Sequence, residues 1–384
     1  MDNNHVKKVM TFKSGNFVFS SKYDQAELGM LTFRARILYS TIADLPILPE
    51  WATYLEKELI RRSIFSTAAI EGSPLKEEEV GKIIDQKDNE SNKGEKDSIA
   101  KQAIINLEKV YNLIKNIKPL ETSPRLTEDF IKKTHDIITD KLNYQDNIPG
   151  KYRNHIVKVG DKEHGGIYTP PKCLADIETL MREFVEWINS EEIADLDSLI
   201  RSALAHYHLG LIHPFGNGNG RTIRIIEAMF LRTSGIKYVP TMLSNYYYRK
   251  VDDYYNAFSK ARNNPDNDIT IFLKFMLEGV IESLGEIKNN ITFRIRLLAM
   301  RDYLAFLHSN QKRITERQHD LACMLLDNGT NISLKDLFNV SPFNTLYRHV
   351  SERTARRDIS NLMSLDILSQ TENGEYYLNE KALG

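Results

Sequence analysis

Apolar positions along this chain recur mostly at three- and four-residue spacing with polar residues between them, the pattern of helices that bury one face. Trp51 to Ile70 is one such run: Leu55, Leu59, Ile60 and Ile64 fall on related faces, Gly72 stops the helix and Pro74 blocks its continuation. Leu199–Ile212 and Ile223–Leu231 are two more apolar helical runs. The period shortens to two in only a few places. His155-Ile-Val-Lys-Val159 alternates, a Gly-rich turn spans Gly160 to Gly166, and Ile167-Tyr168-Thr-Pro-Pro171 follows, which predicts a small hairpin in an otherwise helical chain. From about Arg313 the runs become short: helices over Arg317–Leu326, Leu334–Phe338 and Thr354–Leu365, then two strand-like runs, Leu368 to Leu378, around the hairpin-turn pair Asn373-Gly374. Asp85 to Ser98, dense in Lys, Glu, Asp, Asn and Gly, reads as a solvated loop. The pattern predicts an all-α fold.

The break between the two most apolar runs carries the chemistry. It reads His213-Pro-Phe-Gly-Asn-Gly-Asn-Gly-Arg-Thr-Ile-Arg224. This is a tight loop opening onto a helix N-terminus, where free N–H groups and the positive end of the helix dipole favour an anion. Gly216, Gly218 and Gly220 let the backbone curl around a phosphate. Asn219 can donate its amide, and Arg221 and Arg224, three residues apart, supply forked charged donors from one helix face. No Gly-Lys-Ser/Thr ends the loop, so it is not a Walker loop, and a helix rather than a strand precedes it, so it is not a dinucleotide fingerprint. The histidine at its entrance can accept a proton from a hydroxyl near neutral pH. The pattern points to transfer of a phosphoryl or nucleotidyl group onto a hydroxyl.

His213 to Arg224 resembles the signature of the Fic family, His-x-Phe-x-Asp/Glu-Gly-Asn-Gly-Arg-x-x-Arg. The resemblance implies protein adenylylation: a Ser, Thr or Tyr hydroxyl of a target protein attacks the α-phosphate of ATP, and pyrophosphate leaves. It assigns His213 as general base and Phe215 as the loop's core anchor. Asn219 and the amides around Gly218 and Gly220 would hold the α- and β-phosphates, Arg221 the β-phosphate and Arg224 the γ-phosphate. Related Doc-type proteins carry bulkier residues at the places of Gly218 and Gly220 and act as kinases, so both glycines favour AMP transfer. The one departure is Asn217, where the family has a carboxylate that ligates Mg²⁺. An asparagine oxygen can coordinate Mg²⁺ or Mn²⁺ but brings no charge. A working enzyme with weaker or differently placed metal, a changed nucleotide or transferred group, and a nucleotide-binding pseudoenzyme are the three readings of that change.

Other segments fit the same family. Ser66-Thr67-Ala-Ala-Ile-Glu71-Gly72 resembles its inhibitory helix, Ser/Thr-x-x-x-Glu-Gly/Asn, with Thr67 and Glu71 as regulatory residues. Glu71 against Arg224 would take the donor that the γ-phosphate needs. The hairpin with Ile167 and Tyr168 is otherwise a plain surface hairpin. By resemblance it is the flap that holds the target's segment as an added strand. Tyr254 and Tyr255, with Phe258 after them, resemble the base-contacting helix, although Arg262 stands where the family has an asparagine; Tyr246 to Tyr248 offer further rings. The C-terminal helices and hairpin resemble a winged helix. Arg353, Arg356 and Arg357 could read DNA, yet residues 313–384 carry eight Lys and Arg against ten Asp and Glu. An acidic module is a poor DNA binder, which favours a protein-contact or dimerisation role.

Length and composition leave this reading in place. The 384 residues allow two to three domains, taken as 1–120 (helical, with the inhibitory helix), 121–295 (catalytic core) and 313–384. A net charge of −1 provides no global attraction to nucleic acid or an anionic membrane. Two cysteines, Cys173 and Cys323, suggest neither a disulfide framework nor a zinc site. With no signal pattern and no long apolar run, a cytoplasmic location is expected. Removal of AMP by the same site, and a DNA-binding regulator whose core only senses nucleotide, are the rival functions.

Overall fold

The computed structural model describes residues 6–85, 95–118, 124–379 and 382. It opens with a hairpin that the sequence reading missed: β1 (Val6–Met10) and β2 (Asn16–Ser20) pair antiparallel, Lys8 opposite Val18. The buried Asp176 carboxylate accepts the N–H groups of Phe12 and Lys13 and the Ser14 hydroxyl, fixing the turn. Helices follow: α1 (Gln25–Ala43), α2 (Pro49–Ile70), α3 (Glu77–Asp85), α4 (Glu95–Lys115), α5 (Glu128–Thr139), α6 (Leu174–Ile188), α7 (Glu191–Ala194), α8 (Ser198–Ile212) and α9 (Asn219–Thr233). After the 3-10 turn Val239–Thr241 come α10 (Leu243–Arg249), α11 (Val251–Arg262) and the 40-residue α12 (Thr270–Ser309). The expected loop at Asp85–Ser98 is shorter than proposed, since α4 takes in Glu95 onward; residues 86–94 lie outside the described residues, as do the first five of the chain.

The chain divides into two compact units, Met1–Asp44 with Leu48–Ile287, and Leu45–Ile47 with Lys288–Gly384. No division falls near residue 120. One core joins Ile60, Ile64 and Ala68 of α2, Leu107 and Tyr111 of α4, Ile138 of α5 and Ile225 and Ala228 of α9. Continuous burial of apolar surface across these helices outweighs any boundary suggested by the sequence. At its centre α8 is buried from Leu199 to Ile212, and α9 is buried on nearly all sides. Helix α2 is also pinned by buried polar contacts: Ser63 donates to the Tyr111 hydroxyl (2.7 Å), and Ser66 to Asn245 (3.3 Å).

The second unit contains the end of α12, α13 (Glu316–Asn328), the one-turn helices α14 (Asp336–Asn339) and α15 (Asn344–Tyr347), α16 (Glu352–Ser364) and the hairpin β3 (Leu368–Gln370)–β4 (Tyr376–Leu378). Thr315 and Gln318 form a capping box on α13, and Ser351 caps α16. Asp358 is buried on α16 and accepts from Arg317 (2.7 Å), Gln318 (3.0 Å) and Tyr347 (3.3 Å). Both cysteines are free. Among the described residues no helix is long and apolar enough to cross a membrane.

Candidate active site

Helix α8 ends on His213, whose backbone is left-handed (φ 48°, ψ 59°). A non-glycine residue pays about 1–2 kcal/mol for that conformation, so the surroundings must enforce it. They do so through the carbonyls. Leu209 O accepts the His213 N–H (2.9 Å), and Leu211 O accepts the Tyr168 hydroxyl (3.0 Å). Arg153 Nε donates to His213 O (2.9 Å), its Nη2 reaches Ile212 O (3.5 Å), and its own N–H donates to Pro214 O (3.0 Å). The loop then folds back. Asn217 N–H donates to Asn147 Oδ1 (3.0 Å), and Asn217 O accepts from His135 Nε2 (2.9 Å). Gly218, the N-cap of α9, has φ +78°, and a Cβ there would lie 2.9 Å from the Thr139 methyl. Only glycine fits. The first N–H groups of α9 have no acceptor within the helix and open onto the loop.

Two of the expected phosphate donors are committed elsewhere. The Asn219 side chain is buried and closes a ring with Phe215, accepting its N–H (2.9 Å) and donating to its carbonyl (2.8 Å). Asn219 therefore shapes the loop, and only its backbone N–H is left for an anion. Arg221 is buried behind the loop rather than on the cleft wall. Its Nη2 donates to Asn217 Oδ1 (2.9 Å), its Nη1 to the Tyr144 hydroxyl (3.1 Å), and its guanidinium lies 5.2 Å from the Tyr144 ring centre. Arg224 faces the end of α2. Its Nη2 donates to Glu71 Oε1 (2.8 Å) and to Thr67 O (3.2 Å), and its Nε–H is buried without a partner. Thr67 thus contributes its carbonyl; its buried hydroxyl has no partner. Glu71, the C-cap of α2, sits against Gly220 so closely that a Cβ there would fall 2.2 Å from Oε1.

One cleft of about 420 Å³ gathers Glu71, His213, Gly216, Asn217, Gly218, Asn219, Gly220 and Arg224 at one set of walls and Tyr254, Tyr255, Phe258 and Arg262 of α11 at another. Tyr254 is nearly buried and bonds His206 through its hydroxyl (2.8 Å); Tyr255 keeps about a third of its surface free. Tyr246 and Tyr247 are core residues. The expected hairpin at 155–171 is reduced to one bridge, Val159 opposite Tyr168, because Pro170 and Pro171 remove donors and Gly160, Gly165 and Gly166 take positive φ. Ile167 is exposed, Tyr168 turns inward to Leu211 O, and neither lines the cleft. The turn itself does, through Gly160, Asp161 and His164. It is tied to α11 by His164 Nε2 and Asp252 (3.1 Å) and by Arg262 Nη2 donating to Gly165 O (3.1 Å).

The electrostatics keep the imidazole at the loop entrance unprotonated. Burial, then the Arg153 cation, push the His213 imidazole down to about 4, so it is neutral at pH 7. Burial alone would raise the Glu71 carboxyl, but Arg224 and Arg221 outweigh it and hold it below the ordinary range. A second histidine, not anticipated from the sequence, supports the loop. His135 stacks flat on Phe215 (3.7 Å between centres, 2°) and accepts the Gly150 N–H at Nδ1 (3.0 Å). The tautomer with hydrogen on Nε2 is thereby fixed, and burial lowers its pKa to about 4. His208, also buried, is lowered to about 4 for the same reason. Both groups bind protons more readily in the unfolded chain, so their contribution is complete above pH 6.5 and is lost as pH falls towards 4. At pH 5 the loss is about 2 kcal/mol for each. The urea midpoint should fall steeply between pH 7 and pH 5, and a midpoint constant over that range would contradict neutral buried imidazoles.

The donor set does not fit a protein-held divalent ion. Asn217 Oδ1 already faces the Arg221 guanidinium, and a cation on the same oxygen would be repelled. The cleft's carboxylates are Glu71, paired with Arg224, and Asp161, bonded to His164. Among the described residues no group of three His, Cys, Asp or Glu is arranged for a metal. Asn217, expected as a metal ligand, here accepts from Arg221 through Oδ1.

Residues 125–231 match the Fic/DOC family. Over 129 residues, 34% of this chain, the sequence is 36% identical to protein adenylyltransferase Fic of Drosophila erecta and 35% to that of Drosophila virilis, covering 23% and 24% of those proteins. The chain thus spans about a quarter of the length of the curated relatives it matches. A Fic family protein from Desulfovibrio desulfuricans G20 superposes with a TM-score of 0.55 at 20% identity over 91% of this chain and 95% of that one. Fic-1 from C. elegans gives 0.55 at 19% identity over 70% and 74%. These two share the fold. The loop from His213 to Arg224 lies within the segment that matches the Fic/DOC family.

Proposed function

We propose that this chain transfers AMP from ATP to a hydroxyl of a protein, itself among the acceptors, and that Glu71 restrains it. The observation that carries the reading is one cleft shared by a neutral imidazole, the amide-lined start of α9 and Arg224. In the step, the acceptor oxygen bonds to the α-phosphorus while its proton passes to His213. The bond from that phosphorus to the bridging oxygen breaks, and pyrophosphate leaves with the electron pair. The α9 amides stabilise charge growing on the α-phosphate oxygens. The names of the Drosophila relatives support adenylyl transfer as the reaction class. Incubation of the purified protein with α-labelled ATP tests it: label that survives denaturation is expected, and its absence in both the wild type and the Glu71→Gly variant would remove the assignment.

Divalent metal would then arrive with the triphosphate, with no ligand from position 217. Replacing EDTA by Mg²⁺ should change wild-type ATP affinity less than about threefold, whereas Asn217→Asp should gain tenfold or more, because its carboxylate adds charge and a second oxygen beside the one that faces Arg221. Calorimetric titration checks this, and an unmoved metal requirement in the variant would show that position 217 does not face the ion. The C-terminal helices and hairpin we read as a winged-helix module for protein contact or dimerisation.

A further inference from the structure

We propose that Arg153 is the positioning residue for His213: its guanidinium and its own N–H clamp the carbonyls of residues 212–214 and hold His213 in the left-handed pose that presents the imidazole to the cleft. This rests on the transferase reading only in what the imidazole does there. Arg153 is 3% exposed, and three of its donors meet three successive carbonyls at the C-terminal end of α8, those of Ile212, His213 and Pro214. A fourth, Nη1, holds His155 O (2.6 Å), so the same side chain ties the start of the 155–171 segment to the base. A helix C-terminus leaves carbonyls without partners, and a planar fork can satisfy adjacent ones together. An ammonium cannot span them.

Arg153 also sits within the electrostatic reach of the ring. The charged groups that act on His213 are Arg153, which disfavours protonation, and Glu71 at the end of α2, which favours it. Arg224, Arg262, Asp161 and His164 also line the cleft. Arg153 therefore has two separable effects, geometry through its fork and neutrality through its charge.

The test uses the full chain with histidine labelled at Cε1, the His213 signal being assigned by its loss in a His213→Asn variant. Between pH 8 and 5.5 the wild-type His213 signal should not move. In Arg153→Met the signal should already be shifting at pH 5.5 and should move further by pH 4.5, its midpoint raised from about 4 by about one unit or more. Arg153→Lys keeps the charge, so its signal should stay fixed while self-labelling, measured in the Glu71→Gly background, falls tenfold or more. A His213 signal in Arg153→Met that matches the wild type overturns the electrostatic half. Full labelling by Arg153→Lys overturns the positioning half, and this variant decides the matter if Arg153→Met does not fold. If the Glu71→Gly parent does not label itself, the transferase reading fails while the titration still reports on Arg153.

Discussion

Replacing His213 by alanine should lower labelling from α-labelled ATP by about a hundredfold to ten thousandfold, the range a positioned general base supplies. ATP affinity should change less than threefold. In the proposed mechanism the two effects separate: the imidazole would act on the acceptor's proton in the chemical step, whereas the α9 amides, Arg224 and the α11 wall, which line the same cleft, would hold the nucleotide. The side chain makes few contacts that support the loop: its ring bonds to Gly210, while the loop is held by His135, Asn147, Arg153 and Asn219. Equal losses of binding and turnover would mark His213 as structural. The acid limb of the rate should also lie below pH 5, since the imidazole is already neutral at pH 6.

Glu71→Gly should act in the opposite direction, raising self-labelling tenfold or more. Arg224 is the cationic side chain of the loop that lines the cleft, Arg221 being turned to Asn217 and Tyr144, and Glu71 holds it at 2.8 Å. A charge-assisted pair is worth about 1.5–3 kcal/mol, and each ~1.4 kcal/mol is tenfold in rate. The same substitution leaves the guanidinium of Arg224 buried without its counter-charge, with only Thr67 O as partner. Such an orphaned charge costs about 3–5 kcal/mol. The free variant should therefore melt earlier than the wild type, and ATP should stabilise it more than it stabilises the wild type. Equal labelling by the two proteins would remove the regulatory role of Glu71 and leave the transferase reading untouched. A variant no less stable than the wild type would mean that Glu71 does not carry the pair in solution. Because α2 is fixed by Ser63, Ser66 and a shared apolar core, release of Arg224 would need only a swing of the Glu71 side chain at the helix end.

The amino-acid sequence by itself determined the helical class, the loop from His213 to Arg224 at a helix start, the end of α2 at Glu71 and the hairpin turn at Asn373-Gly374. All are local: they depend on spacing within one or two turns, on glycine and proline, and on capping residues. The N-terminal hairpin was legible in the same terms, as Val6 to Met10 and Phe17 to Phe19 around Gly15, but its strands are short and their anchor, Asp176, lies over 160 residues away. Only the tertiary structure decided which polar groups are spent. Asn219 and Arg221 read as phosphate donors from their spacing, yet in the fold the Asn219 amide is taken by Phe215 and the two terminal nitrogens of Arg221 by Asn217 and Tyr144. His135 on the apolar face of α5 looks like any core histidine until Asn217, 82 residues on, meets its Nε2. Arg153 flanks a predicted hairpin until His213 O, 60 residues on, meets its Nε. Glu71 and Arg224 are 153 residues apart and joined by a single hydrogen bond. Pairings at such separations leave no periodic trace, because each is fixed by where the packed helices bring the backbone and by the cost of leaving a buried polar group unpaired.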